Sequence, residues 1–471
     1  MVDPVAASRL QFALTTIVHI VFPVVSMGLA PFLVYFTYKD LWGSDPVYGR
    51  LRRFWTKLFA VSFVAGTVTG LVLEFEFGTN WAAFSAFAGQ LFGGPLAVEG
   101  MMAFFLEATF LGVFLFGRER VGRVGYFAAT LLVAIGSWLS ATWILDANSW
   151  MQTPQGYALV QRNGHQVVQL VDPVAAYLNP RFPWMFVHMQ NAAVLSVALA
   201  IAGFAAFRIR RGTTDDTFWK TALKVAVVAL LITAPLQVIQ GDGYARHVYT
   251  SQPHKFAAME AVYNTESYVP EYIFAFPTTP DGFLNPRTKD LFGLGIPGGA
   301  SWLASGGNAH ATIRGLDSFP EEPPPVALVF WSFRLMVALG FWFVLLAFWA
   351  GYRWRTGELY EDDLLHRALM VSAVLGFAAV ETGWIVTEVG RQPWVIQGVM
   401  KTQNAVSSSL SAGEATFTLA GFVVGYAALL AIYVYVVYRI VQHGPPDETD
   451  GRGEGAAVGE AGAATTDGGE R

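Results

Sequence analysis

The sequence predicts an all-α integral membrane protein with about nine transmembrane helices, its N-terminus outside and its C-terminus cytoplasmic. Three observations carry this expectation. The 471-residue chain is 54% hydrophobic and only 14% charged, with 37 Phe and 15 Trp, which is too apolar for a soluble protein of this length. Apolar runs long enough to cross a bilayer recur along it. Basic residues cluster on every second connecting loop.

The runs fall at roughly 12–37, 57–77, 94–116, 125–146, 185–207, 219–240, 327–350, 369–388 and 413–438. The start lacks the basic region and small-residue cleavage site of a removable signal peptide, so the first run reads as a retained anchor. Arg50, Arg52, Arg53 and Lys57 follow the first run, and Arg118, Arg120 and Arg123 the third. Arg208, Arg210 and Arg211 follow the fifth, Arg353 and Arg355 the seventh, and Arg439 the ninth. The positive-inside rule makes those loops cytoplasmic. Residues 1–440 form one helical membrane domain. Within it, 241–326 is a long outside loop rich in Pro, Gly and aromatics. Loops of that length are functional or disordered, and the aromatics argue against disorder. Residues 441–471 are mostly Gly, Ala, Asp and Glu and read as a disordered cytoplasmic tail. No internal repeat suggests an inverted-repeat transporter.

The chain has no cysteine, which excludes disulfides, thiolate-bound metal, iron–sulfur clusters and Cys-attached haem. A net charge of −5 carries no nucleic-acid signal. The histidines are His19, His165, His188, His247, His254, His310, His366 and His443, and only His19 and His188 fall inside the apolar runs. That is too few for a haem–copper oxidase core, and the paired histidines of a bis-His cytochrome b are missing. If haem is bound, Met and carboxylate are the types left to complete its ligand set. The alternative is that each membrane His is a hydrogen-bonded core residue.

Carboxylates recur inside the runs. Glu381 and Glu388 are seven residues apart, about 20° apart on one helix face. A lone carboxylate in hydrocarbon costs on the order of 2.5–3.5 kcal/mol, so two on one stripe need partners, protonation or a metal. Gly390 and Pro393 then break the helix, with Arg391 at its mouth. Glu99 and Glu107 lie about 12 Å apart along the third run. Glu74 and Glu76 close the second. Acids at such spacing suit a proton relay, or they pair with Arg and cap helix ends.

Five segments together resemble subunit I of the cytochrome bd quinol oxidases, over nearly all of residues 1–440. They are Gly-Arg-Gln-Pro-Trp at 390–394, Glu-Phe-Glu-Phe-Gly-Thr-Asn-Trp at 74–81 and Glu-Gly-Met-Met-Ala-Phe-Phe-Leu-Glu at 99–107. Arg-Leu-Gln-Phe-Ala-Leu-Thr at 9–15 and Phe-Arg-Leu-Met-Val-Ala at 333–338 complete the set. The shorter loop makes it similar to the short quinol-loop branch.

The resemblance implies three haems: a low-spin haem b, a high-spin haem b, and a haem d or a third haem b. It implies that His188 and Met336 are the axial pair of the low-spin haem, with Arg334 pairing a propionate. His19 and Glu388 then serve one high-spin haem each, in an order that stays open. Glu99 and Glu107 match carboxylates of the high-spin site and its proton supply, Trp384 packs between the haems, and Arg391 belongs to the same site. Lys255 and Glu260 match the quinol-site pair, set in the outside loop away from the membrane ligands. Without the resemblance they read as a helical ion pair. The implied partners are quinol, O2, the lipid bilayer and a smaller subunit II, with a further small single-span subunit as a candidate. The implied setting is a prokaryotic cell membrane.

The expected activity is that of an electrogenic quinol:oxygen oxidoreductase. Quinol is oxidised outside and O2 is reduced with cytoplasmic protons, without a pump. Two rivals remain. A proton-coupled transporter explains the acids but not His188 with Met336. A haem-bearing electron carrier without oxidase activity explains the ligands.

Overall fold

A backbone in hydrocarbon must satisfy its own N–H and C=O groups, so the apolar runs fold as helices. The computed structural model describes residues 3–212, 216–277 and 291–445, apart from the side chains of residues 102–104, 107, 216, 277 and 291. The expected tail beyond residue 445 lies outside the described residues. The chain opens with α1 (Pro4–Trp42), α2 (Val47–Thr79) and α3 (Ala82–Val98). Helices α4 (Phe104–Phe116) and α5 (Arg123–Gln152) follow. A hairpin of β1 (Tyr157–Arg162) and β2 (His165–Leu170) turns on Asn163 and Gly164, both at positive φ. Then come α6 (Pro173–Tyr177), α7 (Phe182–Arg210), α8 (Asp216–Ser251) and α9 (Pro253–Met259).

The outside loop of the sequence reading carries β3 (Glu266–Ser267), β4 (Glu271–Pro277), β5 (Leu291–Ile296), α10 (Gly299–Ser305) and β6 (Thr312–Ile313). Strands β3 and β6 pair antiparallel, as do β4 and β5. The chain ends with α11 (Val326–Thr356), α12 (Asp363–Val389), a short pair of β7 (Trp394–Ile396) and β8 (Met400–Lys401), and α13 (Ala412–His443). Helix α13 starts on a capping box between Ser411 and Glu414.

Among the described residues, 8 helices are long and apolar enough to cross a membrane. Two expectations change. The run expected at 94–116 is not one helix: α3 passes through a π-helical segment, Glu99–Ala103, into α4. The rewinding begins past Pro95, whose own carbonyl still accepts from the Glu99 N–H. The loop expected to start at 241 starts later, because α8 runs on to Ser251. Asp242 and Arg246, one turn apart, pair at 2.6 Å and support that extension.

Helix α7 sits centrally, packed on α1, α5, α8 and α12. Glycines allow the close approach that drives helix association in lipid. A Cβ at Gly376 of α12 would stand 2.7 Å from Ser196 Cα of α7. One at Gly203 of α7 would stand 2.7 Å from the Leu369 carbonyl of α12. The basic loops gather at one end. Asp40 pairs with both Arg52 and Arg118, Arg210 with Asp363 at 2.6 Å, and Arg353 with Asp362 at 2.5 Å. At the other end the loop core around Phe256, Ala257, Met259 and Val262 closes over Val329 and Phe330 of α11.

Candidate functional site

Two cavities share one wall. The first, about 280 Å³, is bounded by α7, α8, α9, α11 and α12. His188 from α7 and Met336 from α11 both line it, as the sequence reading pairs them. His188 Nδ1 lies 2.5 Å from Gln240 Oε1, and the Gln240 amide nitrogen donates to the Trp184 carbonyl at 2.7 Å. The Gln240 oxygen is therefore the atom facing the ring. It accepts the Nδ1 proton and leaves the lone pair on Nε2. Gln237 meets that lone pair with its amide nitrogen at 3.1 Å. Glycines face both candidate ligands. A Cβ at Gly241 would be 3.5 Å from His188 Cε1, and one at Gly383 would be 3.1 Å from Met336 Sδ.

Lys255, Glu260, Glu271 and Arg181 line the same cavity. This corrects the expectation that Lys255 and Glu260 stand away from the membrane ligands. Nor do they pair with each other. Glu260 Oε2 accepts from Arg334 Nη2 at 2.5 Å, and Glu271 Oε1 accepts from Arg334 Nη1 at 2.7 Å. The guanidinium expected to pair a propionate is thus held by two carboxylates, because a buried cation binds the nearest acids. Burial pushes the Glu271 carboxyl up to about 8, with the Glu260 charge adding to the rise and Arg334 opposing it. Lys255 Nζ donates to Gln152 Oε1 at 2.5 Å and to the Thr387 carbonyl at 2.9 Å. Burial pushes the Lys255 ammonium well below its usual range; Arg181 and Arg391 add to this, and Glu388 opposes it.

The second cavity, about 990 Å³, is lined by His19, Glu74, Glu99, Glu381, Glu388 and Arg391, among others. Its volume is more than three times that of the first. Trp384 and Met189 line both cavities, which puts Trp384 at their boundary. His19 Nδ1 lies 2.9 Å from Thr69 Oγ1, and a Cβ at Gly70 would be 3.2 Å from His19 Cε1. Glu388 accepts from Asn148 at 2.9 Å and Gln152 at 3.3 Å, and forms an ion pair with Arg391. Glu99 accepts from Ser140 Oγ at 2.9 Å. It sits on the π-helical segment, a local rewinding often found at functional sites. Glu107 lies on α4, and its side chain is outside the described residues.

The residues fit porphyrin-bound iron. Among the described residues no group of three or more His, Cys, Asp or Glu side chains forms a cage for a bare metal ion. Haem iron needs only one or two axial side chains, and His, Met and carboxylate stand singly at these walls. Each histidine has its Nδ1 tied back by a neighbour, and each has a glycine opposite it. Sequence reasoning misses the tethers: Thr69, Gln237, Gln240, Asn148, Gln152 and Ser140. It also misses Arg181 and Glu271. Single polar residues inside apolar helices carry no periodic signal. Only Gln237 and Gln240, at the end of an apolar run on α8, hint at one.

The comparisons agree with this architecture. A family model described as cytochrome bd terminal oxidase subunit I matches residues 7–445. The chain is 33% identical to the cytochrome bd ubiquinol oxidase subunit 1 of Bacillus subtilis, covering 93% of each protein. It is 32% identical to the cytochrome bd-II ubiquinol oxidase subunit 1 of Escherichia coli, covering 94% of this chain and 98% of that one. Among solved structures, a chain of the bd oxidase from Geobacillus thermodenitrificans matches with a TM-score of 0.84 at 29% identity, covering 94% of this chain and 99% of that one.

Proposed function

Because the chain belongs to the cytochrome bd terminal oxidase subunit I family, we propose that it is the haem-bearing subunit that oxidises quinol and reduces O2 to water. It is a multi-pass protein of a prokaryotic cytoplasmic membrane. The observation that carries the reading is the pair of cavities meeting at Trp384, one walled by His188 and Met336, the other by His19 and Glu388.

Haem bound there, as a low-spin b, a high-spin b and a d or third b group, would supply one-electron transfer and the four-electron reduction of O2. Each quinol releases two electrons and two protons, so two quinols match one O2 converted to two waters. His188 and Met336 would hold the iron of a haem in the first cavity. His19 and Glu388 would hold those of the second, with Arg391 fixing the Glu388 carboxylate. Lys255 and Glu260 border the quinol head group. Lys255, whose pKa burial pushes well below its usual range, donates a hydrogen bond to a quinol oxygen. Glu271, whose carboxyl burial pushes up to about 8, takes up and releases a quinol proton beside Glu260 and Arg334. Glu99 and Glu107 bring protons to the second cavity.

The clustering of basic loops at one end supports a cytoplasmic assignment for that face. Quinol protons then leave on the outer face and O2 draws protons from the inner one. Charge is separated without a pump. Subunit II completes the complex, and a further small single-span subunit is a candidate.

Oxygen uptake driven by reduced quinol tests the reading in the purified complex. We expect Lys255→Ala to raise the quinol KM roughly tenfold. A complex that carries haem but takes up no oxygen with any quinol would overturn it.

A further inference from the structure

Lys255 and Glu388 line different cavities, yet one side chain joins them. Gln152 is the last residue of α5 and is fully buried. Its Oε1 accepts from Lys255 Nζ at 2.5 Å and from Gln252 Nε2 at 3.0 Å. Its Nε2 donates to Glu388 Oε1 and to the Thr387 carbonyl, each at 3.3 Å. The amide therefore points its oxygen at a cation and its nitrogen at a carboxylate. The chain extends both ways. Gln252 accepts from Arg181 Nη1 at 2.6 Å, and Asn148, one turn earlier on α5, donates to Glu388 at 2.9 Å. Buried hydrogen bonds to charged groups are strong, and losing one partner leaves the other unsatisfied.

We propose that Gln152 is a positioning residue that couples Lys255 at the first cavity to Glu388 at the second. A quinol oxygen that takes a hydrogen bond from Lys255 Nζ relaxes the hold of that ammonium on the Gln152 oxygen. The Gln152 nitrogen then shifts against Glu388. The coupling is reciprocal, as any linkage between two binding sites must be. The proposal rests on the reading of Lys255 as a quinol-side residue and of Glu388 as an iron ligand.

The test uses the intact oxidase with Gln152→Leu, Gln152→Glu and Lys255→Ala. Quinol KM and kcat are read separately, beside the reduced-minus-oxidised spectrum and midpoint potential of the second-cavity haems. Gln152→Leu should raise the quinol KM roughly tenfold and shift the second-cavity signature, while the low-spin band stays in place. Gln152→Glu keeps an acceptor for Lys255 but sets a carboxylate against Glu388. Its KM should stay near the wild-type value while the second-cavity signature moves. Combining Gln152→Leu with Lys255→Ala should raise KM no further than Lys255→Ala alone. An unchanged KM in Lys255→Ala would mean that the quinol reading itself fails. If Lys255→Ala raises KM but Gln152→Leu moves only one readout or neither, the coupling is overturned. Should Gln152→Leu not assemble, Gln152→Glu decides alone, and an unchanged second-cavity signature there refutes the proposal.

Discussion

Thr69 Oγ1 stands 2.9 Å from Nδ1 of His19, although 50 residues separate them. The Thr69 hydroxyl also lies 2.9 Å from the Ala65 carbonyl and 3.1 Å from that of Gly66. Its single proton goes to those carbonyls, so its oxygen accepts from the imidazole. The ring is then fixed with Nε2 as the free lone pair. His188 has its Nδ1 held in the same way by Gln240, while its Nε2 lone pair is met by the Gln237 amide. Both histidines are thus oriented by a hydrogen bond to a neighbouring helix, which fixes the tautomer and the ring plane.

Thr69→Val tests this. Valine keeps the branched shape and removes the acceptor. The haem held by His19 should bind roughly tenfold or more weakly, while the low-spin band stays unchanged. Haem retention after dilution, followed by absorption, checks it. Full retention would show that Thr69 does not orient the ring.

A pH effect follows from Glu271, on β4 outside the spans. Its carboxyl is raised from 4.5 to about 8, so the folded protein holds a proton that the unfolded chain has released. The stability this brings is complete below about 4.5 and is lost as pH rises through about 8. Glu271→Gln imitates the protonated form. Its melting temperature in detergent should fall less than the wild-type value between about pH 7 and about pH 9. Equal falls would contradict the assignment.

The two acids of the third run should behave differently. Glu107→Gln should keep every haem and slow oxygen uptake roughly tenfold or more, because an amide cannot relay a proton. Glu99 lines the second cavity beside Ser140, so Glu99→Gln should disturb haem binding as well. Spectra and oxygen uptake of both variants check the contrast. Normal uptake in Glu107→Gln would remove it from the proton route.

Hydropathy alone marks eight of the long helices, because lipid imposes one backbone solution on an apolar run. It fails at Glu99, where a run of suitable length is rewound rather than continuous. It fails again after residue 240, where α8 continues with polar side chains that lower hydropathy without breaking the helix. The candidate ligands are legible because buried His, Met and Glu are scarce and expensive in such helices. Their tethers are not. Thr69 meets His19, and Gln152 meets both Lys255 and Glu388, only through tertiary packing across long sequence separations. The fate of Arg334 is hidden for the same reason, since Glu271 lies 63 residues away.

The two-cavity account is tested most directly by the reduced-minus-oxidised spectrum of the purified oxidase, recorded beside that of Met336→Leu. Leucine keeps the volume of methionine and removes its sulfur, so the fold should survive. We predict low-spin b bands together with high-spin features in the wild type. In Met336→Leu the low-spin signal should weaken or its potential fall, while the high-spin features persist. An unchanged low-spin spectrum in Met336→Leu, or a wild-type preparation without haem, would contradict the account.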